Sequence, residues 1–194
     1  KQLVVNVDIK GFFPNTNYGN IRRAIRQLFN SSLSDQAIDF LTDVCAYQKG
    51  LPIGAPTSPA LGNIILRDAD QAITTAAAQW DIDYSRYADD LSLSGSSEAP
   101  RIIPFIERVL EDYGYELDHR KTCIYRKGRQ QRVTGLVVNE KPNLTRRRRR
   151  RIRAAVHQCC LGEVPHLDGA PITRSQLAGH LGLLQMVNPA ESAK

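Results

Sequence analysis

Cysteine is sparse in this 194-residue sequence: four residues, Cys45, Cys123, Cys159 and Cys160, none in a CxxC or CxxH spacing. That excludes a disulfide scaffold and leads us to expect core thiols in a reducing, cytoplasmic setting. Four histidines (His119, His157, His166, His180) are scattered without metal-ligand spacing and read as structural or solvent-exposed. Glycine and proline number 13 and 10, too few for collagenous or low-complexity chain. No apolar run approaches the roughly 18 residues of a membrane span, so no membrane partner is expected. The opening Lys1-Gln2-Leu3-Val4-Val5-Asn6-Val7-Asp8 does not read as a secretory leader, because its apolar run is short and ends in a carboxylate. No internal repeat is visible. Acidic residues are the minority, 20 against 26 Lys and Arg, giving a net charge of +6. A polyanionic partner suits that balance. What remains, 42% hydrophobic and 24% charged, is a globular composition long enough to bury a core.

The chain opens on a core strand. Leu3 to Ile9 is apolar and largely β-branched, with Asp8 where a buried strand would end. Starting a compact unit this way, with no turn or cap before it, creates the expectation of further sequence upstream. After breakers Gly11, Pro14 and Asn15, residues 17–29 have helical apolar spacing, and Ser34 is placed to cap a second helix. Residues 50–59 contain three prolines and two glycines and read as irregular. A single long helix is expected over about 60–79. Residues 83–94 alternate on both sides of an acidic turn, a hairpin signature. A helix over about 98–113 and strands near 122–126 and 131–138 follow. From Asn143 a Thr145-capped helix and a last helix over about 173–187 are expected. The order predicts an α+β fold, an antiparallel sheet with helices on one face, with a boundary near residue 140.

Two acidic sites stand out: Asp8 at a strand end, and Asp89-Asp90 in the turn between two apolar strands. Adjacent carboxylates repel unless cations neutralise them. An oxygen-only set suits Mg²⁺, which usually takes one or two carboxylates and completes its shell with water and phosphate. Neighbouring strands that brought Asp8 beside Asp89 would create a two-metal site for in-line displacement at phosphorus. A solvated Asp-Asp turn is the alternative reading of those residues alone.

Four short motifs occur in order: Lys10-Gly11-Phe12-Phe13-Pro14-Asn15 after Asp8, Leu51-Pro52-Ile53-Gly54-Ala55-Pro56-Thr57-Ser58-Pro59, Tyr87-Ala88-Asp89-Asp90, and Arg132-Val133-Thr134-Gly135-Leu136-Val137-Val138-Asn139. Together they resemble bacterial reverse transcriptases of the retron and group II intron-like branch, well over residues 2–160 and loosely beyond. The resemblance implies a polymerase right-hand palm over 1–140, including part of the fingers and palm insertion, and a basic helical thumb over 141–194. It implies RNA-directed DNA synthesis from dNTPs on an RNA template, extending a DNA or RNA primer with two Mg²⁺ ions, for which Mn²⁺ can substitute. Asp8 and Asp89 would hold the metals, with the Ile9 carbonyl as a backbone ligand and Asp90 as the weaker carboxylate. Lys121 would approach the triphosphate, where a cation neutralises or protonates departing pyrophosphate. Phe13 would be the steric gate against a 2′-hydroxyl, with Phe12 the alternative; if the segment is a strand, the two rings lie on opposite faces. Ile53 and Gly54 would lie against the incoming nucleotide and template, Gly54 permitting close backbone approach. Ile53 stands where the family usually has Gln, and Gly62 where Ser is commoner. Val133, Thr134 and Gly135 would belong to the primer-grip strand.

The run Arg146, Arg147, Arg148, Arg149, Arg150, Arg151 cannot occupy one outer helix face. Helical spacing back from Ile152 turns Arg148 and Arg149 inward. In the resembled family this segment is the thumb, which tracks the duplex and, in retrons, binds a cognate structured non-coding RNA. Its binding would be strongly salt-dependent. No RNase H-like acidic set follows residue 140. Two other readings stay open: an RNA-binding palm and thumb without synthesis, favoured by Ile53 and by the absence of basic fingers motifs, and a defence-associated polymerase making untemplated DNA.

Overall fold

The computed structural model describes residues 1–29 and 32–192. Asn30 and Ser31, and the last two residues of the expected thumb, lie outside that description. Two compact units divide at Arg126 and Lys127.

The first unit is built on an antiparallel sheet of β1 (Leu3–Asp8), β2 (Asp83–Tyr87), β3 (Asp90–Gly95) and β4 (Cys123–Arg126) in the order β2-β3-β1-β4. Register separates its faces. Val5 and Val7 stand opposite Leu93 and Leu91 and point into the core, while Asn6 and Asp8 stand opposite Ser92 and Asp90 on the other face. The core side is covered by α2 (Tyr18–Leu28), α3 (Asp35–Cys45), α4 (Thr57–Ile65), α5 (Arg67–Gln79) and α6 (Ile103–Glu111), which contribute Ile21, Ile38, Leu61, Ile73 and Ile106 to one cluster. A short α1 (Phe12–Asn15) precedes them. Asn17 and Ser34 cap α2 and α3 through the backbone N–H groups of Asn20 and Ala37.

The expected helix over 60–79 is two helices. The first begins at Thr57, inside the Pro-rich segment, because Pro59 falls in its first turn, where no backbone donor is needed. Leu66 then leaves helical geometry and α5 restarts at Arg67. The 98–113 helix likewise opens as a 3-10 turn over Ala99–Ile102.

In the second unit, residues 131–138 form a hairpin rather than one strand. Here β5 (Arg132–Val133) pairs with β6 (Leu136–Val137) across Thr134 and Gly135, whose φ angles of 46° and 82° make the tight turn. Val137 also bridges Asn143. This local pairing explains why the compact unit starts at Lys127, upstream of the boundary expected near 140. The next elements are α7 (Arg146–Cys160), the two-residue strands β7 (His166–Leu167) and β8 (Ala170–Pro171), α8 (Arg174–Val187) and α9 (Pro189–Ser192). Leu144, Ile152, Leu167 and Leu184 form its core. The cysteines are free; Cys160 is exposed and the other three are half-buried, and the expectation of core thiols holds in part, at Cys45, which packs against the core of the first unit. Among the described residues, no helix is long and apolar enough to cross a membrane.

Candidate active site

The carboxylates meet because β1 and β3 are neighbours: Asp8 and Asp90 are direct cross-strand partners. The hairpin turn between β2 and β3 is Ala88-Asp89, and the Asp89 carbonyl accepts the Ile9 N–H at 2.9 Å. The whole acidic turn is thereby fastened to the end of β1. Asp90 shows the electrostatic consequence. Partial burial, followed by the fields of Asp89 and Asp8, raises its carboxyl above the usual range.

Lys121 arrives through a second local device. After Leu117 bridges Ile9, the Asp118 N–H donates to the Asp8 carbonyl at 2.8 Å. The Asp118 carboxylate then caps a 3-10 turn, His119–Lys121, by accepting the Arg120 N–H. That turn aims Lys121 Nζ at Asp8 Oδ1, 2.6 Å away, and the bond raises the lysine pKa. Asp8 is only 8% exposed. A cation therefore already sits on the carboxylate, and the donor set of Asp8, Asp89 and Asp90 fits hard divalent cations. Among the described residues no three or more His, Cys, Asp or Glu side chains come together as a group that could hold a metal ion by themselves. An open site completed by water and phosphate has no need of one.

Phe13 lies in α1 and not in a strand, which corrects the alternation argument. Gly11, at φ 56°, lets the chain leave β1 and enter the short helix. The Phe12 and Phe13 rings consequently lie together, with centroids 5.2 Å apart, rather than on opposite faces. Phe12 is buried and packs edge-on against Tyr115; Phe13 is half-buried. Both rings rest on Gly62 of α4, where an added Cβ would lie 2.9 Å from Phe12 Cε1 and 3.2 Å from Phe13 Cε1. The sequence shows Gly62 as an unexplained departure; the structure explains it as space for two aromatic rings.

The 51–56 loop is fixed to the same point. Leu51 N–H donates to the Phe13 carbonyl at 2.9 Å, and Ser58 Oγ donates to the Pro52 carbonyl at 2.6 Å. Gly50 approaches Pro14 so closely that a Cβ would meet its carbonyl oxygen at 2.5 Å. An open cleft of about 500 Å³ results, lined by Pro14, Tyr47, Gln48, Leu51, Pro52 and Ile53. Ile53 is 81% exposed. Gly54 has open space around it, and its φ of 90° is what calls for glycine.

Sequence reasoning missed the support beneath the acidic turn. Arg86, on the core face of β2, donates to Asp70 of α5 through Nε at 2.8 Å and Nη2 at 2.6 Å. Its Nη1 reaches Asn63 Oδ1 at 3.2 Å and the Ala88 carbonyl at 2.9 Å. Tyr84 donates to Asp70 at 2.7 Å, and burial, then the Asp70 charge, holds this phenol protonated well above its usual range. The only sequence signal was an arginine in an alternating strand beside the turn.

In the second unit, Thr145 caps α7 through Arg148 N–H. Arg146, Arg147, Arg148 and Arg150 are exposed, whereas Arg149 and Arg151 are half-buried. The expectation of an inward Arg148 is corrected, Arg149 is half-buried in line with its expected position, and Arg151 pairs with the exposed Asp168 in the β7–β8 turn. Val133 is half-buried beside the Thr134-Gly135 turn.

A four-stranded antiparallel sheet with carboxylates at the β1 end and the β2–β3 turn is the palm arrangement of nucleic-acid polymerases, and solved structures agree on the fold. The chain matches Candida albicans telomerase in complex with a fragment of telomeric RNA at a TM-score of 0.56 and 13% identity, covering 97% of this chain and 34% of that one. It matches a foamy viral protease-reverse transcriptase in complex with an RNA/DNA hybrid at a TM-score of 0.53 and 17% identity, covering 95% and 21%. Residues 1–139 match the reverse transcriptase (RNA-dependent DNA polymerase) family, and the chain belongs to that family. Among curated relatives, it is 30% identical to the retron Mx65 reverse transcriptase of Myxococcus xanthus over 100% of this chain and 48% of that protein. It is 34% identical to the retron Ec86 reverse transcriptase of Escherichia coli over 86% of this chain and 53% of that protein. The chain thus spans about half the length of these relatives.

Proposed function

We propose that this chain is the palm and thumb core of a retron-type RNA-directed DNA polymerase, adding deoxynucleotides from dNTPs to a primer 3′-hydroxyl on an RNA template. The observation that carries the reading is Asp8 in register with Asp90, with the Asp89 turn bonded to Ile9. Asp8 and Asp89 hold the divalent cations, Mg²⁺ or Mn²⁺, with Asp90 and the Ile9 carbonyl as weaker partners. When bound, the ions activate the 3′-hydroxyl and neutralise charge on the triphosphate.

The remaining work falls to the chain. Lys121 keeps its proton on Nζ beside Asp8 and, freed from that carboxylate, reaches the triphosphate to neutralise the departing pyrophosphate. Phe13, propped on Gly62 and tied to Leu51, presents its ring edge to the sugar and rejects a 2′-hydroxyl. Ile53, in the 51–56 cleft, and Gly54 next to it lie against the incoming nucleotide and template. In the second unit, the Val133–Gly135 hairpin grips the primer. The exposed arginines of α7 hold the RNA backbone, including that of a structured non-coding RNA partner.

Extension of a DNA primer on an RNA template, with and without Mg²⁺, tests the assignment. We expect dNTP-dependent, Mg²⁺-dependent extension that Asp8→Asn abolishes. Extension that survives in Asp8→Asn would overturn it.

A further inference from the structure

Ala88, the residue before Asp89, sits at φ 53°. A non-glycine residue in the left-handed region costs about 1–2 kcal/mol, so this turn holds its shape only if its surroundings impose it. Two bonds do so. On one side, the Asp89 carbonyl accepts Ile9 N–H from β1. On the other, the Ala88 carbonyl accepts Arg86 Nη1.

Arg86 can act as a fixed point because it is itself immobilised. Its side chain is 5% exposed. Its fork is bidentate on Asp70 of α5, which Tyr84 also holds, and the remaining nitrogen reaches Asn63 of α4. A buried Arg–Asp pair is weak evidence for stability alone. The planar guanidinium, however, connects two helices to one backbone carbonyl in a way a lysine ammonium does not reproduce.

We infer that Arg86 is a positioning residue for Asp89: it clamps the Ala88-Asp89 turn to α4 and α5 and so fixes the Asp89 carboxylate relative to Asp8. The inference rests on the metal-holding role of Asp89 proposed above, and it has a readout independent of that role. Ile9 N–H bonds the turn directly, so its hydrogen exchange reports whether the turn is held. Val5 and Val7, paired with Leu93 and Leu91 in the same ladder, serve as controls.

The test is amide exchange by NMR on the whole chain, with Mn²⁺ binding followed by electron spin resonance, in wild type, Arg86→Lys, Asn63→Ala and Asp89→Ala. Losing a charged hydrogen bond predicts exchange at Ile9 accelerated about tenfold or more in Arg86→Lys, with Val5 and Val7 unchanged and Mn²⁺ affinity reduced by about the same factor. Asn63 is exposed, so Asn63→Ala keeps the test alive if Arg86→Lys fails to fold; it predicts a smaller change in the same direction. Uniform acceleration at all three amides would reduce Arg86 to a stabilising residue and overturn the inference. An unchanged Ile9 would overturn it too, as would selective acceleration with Mn²⁺ affinity intact. Wild type without Asp89-dependent Mn²⁺ binding would instead remove the metal reading, leaving exchange to decide whether the clamp exists.

Discussion

Lys121 Nζ rests 2.6 Å from Asp8 Oδ1, as a cation should where three aspartates share one corner of a sheet. Each residue around that corner carries a separable consequence. Asp118 is held below the ordinary carboxylate range by its hydrogen bond to the Arg120 guanidinium. A depressed folded-state pKa adds stability above the unfolded-state value, lost as pH falls through the folded-state value. Asp118→Asn should therefore melt below wild type at neutral pH, and the two melting curves should converge under acid conditions. Phe13 predicts nucleotide choice: Phe13→Val should raise incorporation of ribonucleotides relative to deoxynucleotides by about tenfold or more, read by competitive incorporation.

At the scale of elements, α4 organises both halves of the site, through Gly62 under the phenylalanines and Asn63 against Arg86. Gly62→Ala places a methyl group 2.9 Å from Phe12 Cε1 and should cost about 1–3 kcal/mol, as overpacking does, seen as a lower midpoint in denaturant. The carboxylates were legible in the sequence because their signals are local: a β-branched run ending in Asp8, and an alternating hairpin around Asp89-Asp90. The 131–138 hairpin was not, because two strands of two residues each give too short an alternation, and Thr134 does not advertise its left-handed φ. The placement of Phe12 and Phe13 is hidden for a related reason. Nothing in a Gly-Phe-Phe-Pro run distinguishes a strand continuation from a helical turn entered through Gly11. The Arg86 support was invisible because Asp70 and Asn63 come from two different helices, and only packing brings them to one guanidinium.

At the scale of the whole molecule, the proposed function gives the two units separate tasks, chemistry on the sheet and nucleic-acid binding on α7. Converting the exposed Arg146, Arg147, Arg148 and Arg150 to Gln should weaken RNA binding across sequences and flatten its salt dependence by about 3 in log–log slope. Family membership and the palm fold are common to an active polymerase and to an RNA-binding core that does not polymerise. The measurement that separates them most directly is single-turnover addition of one dNTP to a primer on an RNA template, in wild type and Asp89→Ala, with RNA binding followed in the same samples. The account predicts addition by wild type, none by Asp89→Ala, and equal RNA binding by both. RNA binding without addition by either protein would contradict it.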